Sequence, residues 1–64
     1  MFKKFIQRII EAKDREDAIQ NVFYGTVFDE SGKIVEYGIE RAFDQDKITY
    51  KEYEMLSKLI DKMA

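Results

Sequence analysis

The side chains of this 64-residue chain that could take part in chemistry are carboxylates, phenols and hydroxyls, because cysteine and histidine are both absent. Their absence removes the thiolate and the imidazole on which most nucleophilic catalysis and soft-metal binding depend. Ser31 sits in Asp29-Glu30-Ser31-Gly32-Lys33, a run of turn-forming residues in which its hydroxyl already has a structural use. The carboxylates fall on faces expected to meet solvent, and so short a chain leaves little room for the cleft that a paired-carboxylate mechanism needs. No catalytic residue and no cofactor are assigned, and a non-enzymatic protein is expected.

The densest set of oxygen donors is Phe43-Asp44-Gln45-Asp46-Lys47-Ile48-Thr49-Tyr50-Lys51-Glu52-Tyr53. Its second half is similar to the end of an EF-hand loop, where Ile, Thr and a bidentate Glu precede an aromatic residue. Aligned on Glu52, however, Asp44 falls three residues too late for the first ligand. Asp46 also occupies the place of the required central glycine. The bland reading accounts for every residue: Asp44 and Asp46 end one helix, Ile48 packs inward, and Thr49 with Glu52 forms a structural cap on the next. No metal site is expected.

Charge narrows the partners. Eleven Lys and Arg stand against thirteen Asp and Glu, a formal net charge of -2, which is not the basic footprint of a general nucleic-acid binder. A helix-turn-helix-like pair around residues 38–63 is the alternative reading. From Ile34 onward, though, five basic residues (Arg41, Lys47, Lys51, Lys58, Lys62) face seven acidic ones (Glu36, Glu40, Asp44, Asp46, Glu52, Glu54, Asp61). A groove-reading helix normally has basic neighbours on the phosphates. No apolar run approaches the roughly 20 residues of a spanning helix. The opening Met1-Phe2-Lys3-Lys4 has the basic character of a signal peptide, but Gln7, Arg8 and Glu11 interrupt any apolar stretch. A cytoplasmic protein with no membrane contact is expected.

The elements that must position these residues are legible from periodicity. Phe2, Phe5, Ile6, Ile9 and Ile10 mark an amphipathic helix over 2–13, with Lys4, Gln7, Arg8 and Glu11 on its outer side. Asp14 is an N-cap for a second helix whose inner positions are Ala18, Ile19, Val22 and Phe23, with Gly25 as its stop. Val27-Phe28 and Ile34-Val35 flank the turn sequence and predict strands near 25–29 and 33–37, joined by a type I turn with Gly32 left-handed. A hairpin this small needs support from the helices. A third helix spans Gly38 to about Asp46. The Thr49–Glu52 capping box opens a fourth that runs to about Met63, striped by Tyr53, Leu56, Leu59, Ile60 and Met63. The prediction is one domain over 1–64, α+β and mostly helical, ordered α-α-β-hairpin-α-α. Its core is expected to hold Phe5, Ile6, Ile9, Ile19, Val22, Phe23, Ile39, Phe43, Leu56, Leu59 and Ile60.

Aromatic residues make up 14% of the chain, and Tyr24, Phe28, Tyr37 and Tyr50 lie off the helical stripes. Exposed aromatic rings favour protein interfaces because they bury a large area at low entropic cost. The expected partner-binding residues are Tyr24, Phe28 and Tyr37 around the hairpin, with Asp29, Glu30 and Glu36 steering a basic protein surface towards them. The hairpin edges also suit a homodimer.

The segments Ile39-Glu40-Arg41-Ala42-Phe43-Asp44, Lys47-Ile48-Thr49 and Leu56-Ser57-Lys58-Leu59-Ile60-Asp61-Lys62 give the chain a further resemblance. It resembles short proteins encoded by phages and conjugative elements of AT-rich Gram-positive bacteria, over roughly residues 14–25 and 39–62. The resemblance implies a mobile-element regulator or inhibitor that binds and occludes a host protein such as a defence nuclease. It carries over no catalytic residues.

Overall fold

A computed structural model describes residues 1–63. Helix α1 (Phe2–Glu11) buries Phe5 and Ile9 and half-buries Phe2 and Ile6, the face that the sequence spacing picks out. Ile10 does not belong to that face: it is 71% exposed. The helix stops two residues before the expected position, where Ala12 turns extended at φ -66° and ψ 146°. Asp14 then caps α2 (Arg15–Ala18), its carboxylate accepting from the Asp17 backbone N–H at 2.8 Å. In return the Asp17 carboxylate accepts from the Lys13 N–H at 2.9 Å.

The second helix departs from expectation after one turn. Ile19–Phe23 forms a π turn, in which the Tyr24 N–H reaches back to the Ile19 carbonyl at 3.0 Å. Ala18 and Val22, four residues apart, are both in the core, and the chain leaves close past its own backbone. A Cβ at Gly25 would lie 2.3 Å from the Asn21 carbonyl oxygen, so only glycine fits there.

Helices α3 (Ile39–Asp44) and α4 (Tyr50–Asp61) complete the helical layer. Helix α4 packs against α1, α2 and α3, and Leu56, Ile9 and Ile39 are the largest fully buried side chains. Phe5, Val22 and Ile60 join them as expected, whereas Ile6, Ile19, Phe23, Phe43 and Leu59 are only half-buried around this centre. Their places are taken by Ile48, from the α3–α4 connection, and by Ala18 and Ala42. Small side chains at a helix contact let the two backbones approach.

Helix α3 ends in a Schellman motif: the Lys47 N–H bonds the Ala42 carbonyl at 2.7 Å and the Asp46 N–H bonds that of Phe43 at 3.0 Å. The motif needs a left-handed residue, and Asp46 supplies it at φ 59°. The capping box then opens α4, with Thr49 Oγ1 accepting from the Glu52 N–H and Glu52 Oε1 accepting from the Thr49 N–H.

The hairpin is shorter than the sequence implies, with β1 at Val27–Phe28 and β2 at Ile34–Glu36 antiparallel to it. Val27 pairs with Glu36 and Phe28 with Ile34, so Val35 is the extra residue of a bulge. The turn has the expected form. Gly32 is left-handed at φ 85°, its N–H donates to the Asp29 carbonyl, and the Asp29 N–H donates to the Lys33 carbonyl. No strand residue belongs to the buried core, so the hairpin is not laid flat on the helices as its small size suggests it should be.

An aspartate in the left-handed region is strained relative to glycine. Asp46→Gly is therefore expected to raise stability by about 0.5–1 kcal/mol, read as a higher denaturation midpoint with an unchanged denaturant slope.

Candidate partner-binding surface

With its faces exposed, the hairpin must be held at its base, and Arg8 is the main tether. Its guanidinium donates to the Asn21 carbonyl of the π turn at 2.7 Å and to the Tyr37 carbonyl beyond β2 at 3.1 Å. It also pairs with Glu36 at 3.2 Å. The Arg8 side chain is only 20% exposed and lies 5.7 Å from the Phe5 ring centre. The sequence reading placed Arg8 on the outer side of α1. Its long stem instead follows the apolar face while its fork collects acceptors from elsewhere in the chain. A second tie closes the hairpin base, where the Gly38 N–H donates to Thr26 Oγ1 at 2.9 Å.

Above this anchored base the structure separates the six expected contact residues into four places. Asp29 and Glu30 form the exposed tip. Phe28, 50% exposed, lies beside Arg41, whose guanidinium carbon is 5.9 Å from the ring centre. Val35 is 62% exposed and, with Glu36 and Tyr37, walls a groove of about 260 Å³ floored by Phe5 and closed by Met1, Lys4 and Arg8. Tyr24 is elsewhere, in a second groove of about 200 Å³ with Ile19, Phe23 and Ile60.

These residues are not equally free. Glu36 is engaged by Arg8. Tyr37 is half-buried against the core, its hydroxyl donating to Gln45 at 3.0 Å under Lys47. Phe28, Val27 and Val35 are the apolar side chains that the hairpin leaves open, and the two valines are not among the contact residues expected from sequence. Short runs of β-branched and aromatic residues mark strands without saying which side would be left uncovered.

The electrostatics of the tip are fixed by the turn. Asp29 Oδ1 accepts from the Ser31 hydroxyl at 2.6 Å, the Ser31 N–H at 2.9 Å and the Lys33 N–H at 3.0 Å. These bonds, led by the Ser31 hydroxyl, hold the carboxyl below its ordinary range. Asp17 is lowered in the same way, chiefly by the Lys13 N–H and then by the Asn21 amide. Among the described residues no three carboxylates converge as metal ligands, and no helix is long and apolar enough to cross a membrane.

Two outcomes are expected. Arg8→Ala removes two charge-assisted hydrogen bonds, one of them to the part-buried Tyr37 carbonyl, so it is expected to cost about 1–2 kcal/mol. Hydrogen exchange should show the loss first at the hairpin base, and Arg8→Lys should recover only part of it. Because the folded-state pKa of Asp29 is depressed, its contribution is present above the ordinary aspartate value of about 4 and is lost as pH falls through the lower folded value. Acid titration followed by NMR should therefore release the Ser31 and Lys33 amides only below about pH 4. Asp29→Asn should remove that step. Set against known proteins, the chain matches no family model, no curated protein and no solved structure.

Proposed function

We propose that this protein is a small non-enzymatic binding module of the cytoplasm that occludes the surface of another protein through its hairpin. The mobile-element resemblance makes that partner a host protein, with a defence nuclease as the model case. The observation that carries the reading is the set of three apolar side chains, Val27, Phe28 and Val35, left about half or more exposed on a two-stranded sheet that is tethered only at its base. Such a sheet offers a partner both side-chain area and unpaired backbone edges.

The ionised Asp29 and the exposed Glu30 lie beyond these side chains at the tip of the hairpin. They favour a basic partner surface and a salt-sensitive association rate. Helix α4, the reading helix of the alternative, exposes Glu54 paired with Lys58 at 3.8 Å, a mixed face that gives DNA phosphates no basic track.

The test is affinity capture from lysate of a Gram-positive host, followed by titration of the retained protein. Phe28→Ala with Val35→Ala is expected to weaken binding by about thirtyfold or more, the scale of a hot-spot truncation. Exposed Met55 serves as the control position. Equal retention by the double variant, with circular dichroism unchanged, would sink the hairpin reading.

A further inference from the structure

The hairpin does not absorb the aromatic excess. Five rings instead form one continuous line across the helical layer. Tyr24 meets Phe23 edge-on at 4.8 Å, Phe23 lies 5.7 Å from Tyr53, Tyr53 stacks on Phe43 at 4.5 Å, and Phe43 lies 6.1 Å from Tyr50. The inner three are half-buried, whereas the end rings, Tyr24 and Tyr50, are 59% and 65% exposed. A core needs neither of those outer rings.

Along α4 the same side carries Tyr50, Glu54, Ser57 and Asp61, spaced four, three and four residues apart and so aligned on one helix face. These four positions hold two carboxylates and no basic residue, although a cation reaches each acid from beside the face. Ser57 and Asp61 also wall the groove of about 200 Å³ that Tyr24, Phe23 and Ile60 line. Phenol faces and carboxylates side by side are the chemistry that receives a guanidinium, which stacks on the ring and forks onto the acid. The carboxylates are held by surface cations from neighbouring positions, Glu54 by Lys58 at 3.8 Å and Asp61 by Arg15 at 3.2 Å. Exposed pairs of this kind are weak and exchange readily.

We propose that the strip running from Tyr24 over Tyr53 to Tyr50, edged by Glu54 and Asp61, is a second docking surface that takes an extended, arginine-bearing segment of a partner protein. An aromatic line could also stack the bases of a single strand, but the two carboxylates would face its phosphates. A guanidinium can both stack on the phenols and replace a surface cation at an acid, which a phosphate cannot do, and this selects the arginine-bearing peptide. Arg15 and Lys58 act as internal competitors for the acids that the peptide's guanidinium groups would use.

The test is NMR titration of the full chain with a synthetic octapeptide alternating arginine with proline and leucine. Two comparison probes are the same peptide with glutamate for each arginine, and octathymidylate. Saturable shifts are expected at Tyr24, Tyr50, Tyr53 and Ser57 with the arginine peptide alone. Glu54→Gln with Asp61→Asn should weaken binding at least tenfold, whereas Arg15→Gln or Lys58→Gln should tighten it two- to threefold by freeing an acid. All four positions are exposed, so the variants should fold, as circular dichroism would verify. No saturable binding, equal binding of the glutamate peptide, stronger binding of octathymidylate, or an unchanged affinity in the double acid variant would each overturn the proposal. Phe28→Ala should leave peptide binding intact. Loss of peptide binding in that variant would assign the peptide to the hairpin and remove the strip, while loss in the acid variants alone would leave the hairpin reading untouched.

Discussion

Arg8 holds together the parts of this molecule that its core does not reach. The nine buried hydrophobic residues all come from the helices, their π turn and the α3–α4 connection, and the strands add only the half-buried Ile34, so the hydrophobic effect supplies little to fix the hairpin. One guanidinium instead bonds a carbonyl of the π turn, a carbonyl beyond β2 and a carboxylate within β2. Those three acceptors come from segments 13 to 29 residues distant in the chain. Lysine could not serve them together, because a rigid fork of five donors can meet several acceptors at once while an ammonium group acts as a point charge.

The π turn and the tether meet at one carbonyl. Asn21 lies in the last turn of its segment, where a helix carbonyl has no intrahelical partner, and Arg8 takes it at 2.7 Å. The chain then passes with Gly25 against the Asn21 backbone, which is why a residue without a side chain follows. Rare helical geometry here serves a joint between elements.

Freed from packing, the hairpin can present Val27, Phe28 and Val35 outward, and the aromatic strip lies on the helical layer as a separate surface. A chain of this length has a small interior relative to its surface, so most of its large side chains end half-buried. That geometry suits a protein that works by contact. It also explains why the aromatic content exceeds what the core uses: only Phe5 among the nine rings belongs to the buried core.

Much of the local structure was legible in the residues themselves. Helix periodicity, the Asp14 cap, the Thr49–Glu52 box and the left-handed Gly32 turn each depend on side chains within a few positions, and the structure contains all of them. The reading failed where the deciding partner was remote. Ile10 looked apolar and inward yet is exposed, and Arg8 looked outward yet is the tether. The second helix widens into a π turn at the segment whose Asn21 carbonyl Arg8 reaches from α1. For the proposed contact residues, sequence proximity put Tyr24 with the hairpin, whereas the fold puts it in the groove beside α4. Sequence alone determined the elements and their caps, because those are short-range hydrogen bonds and a repeat of apolar side chains. Only the tertiary structure decided which side chains stay exposed, because exposure depends on what another part of the chain covers.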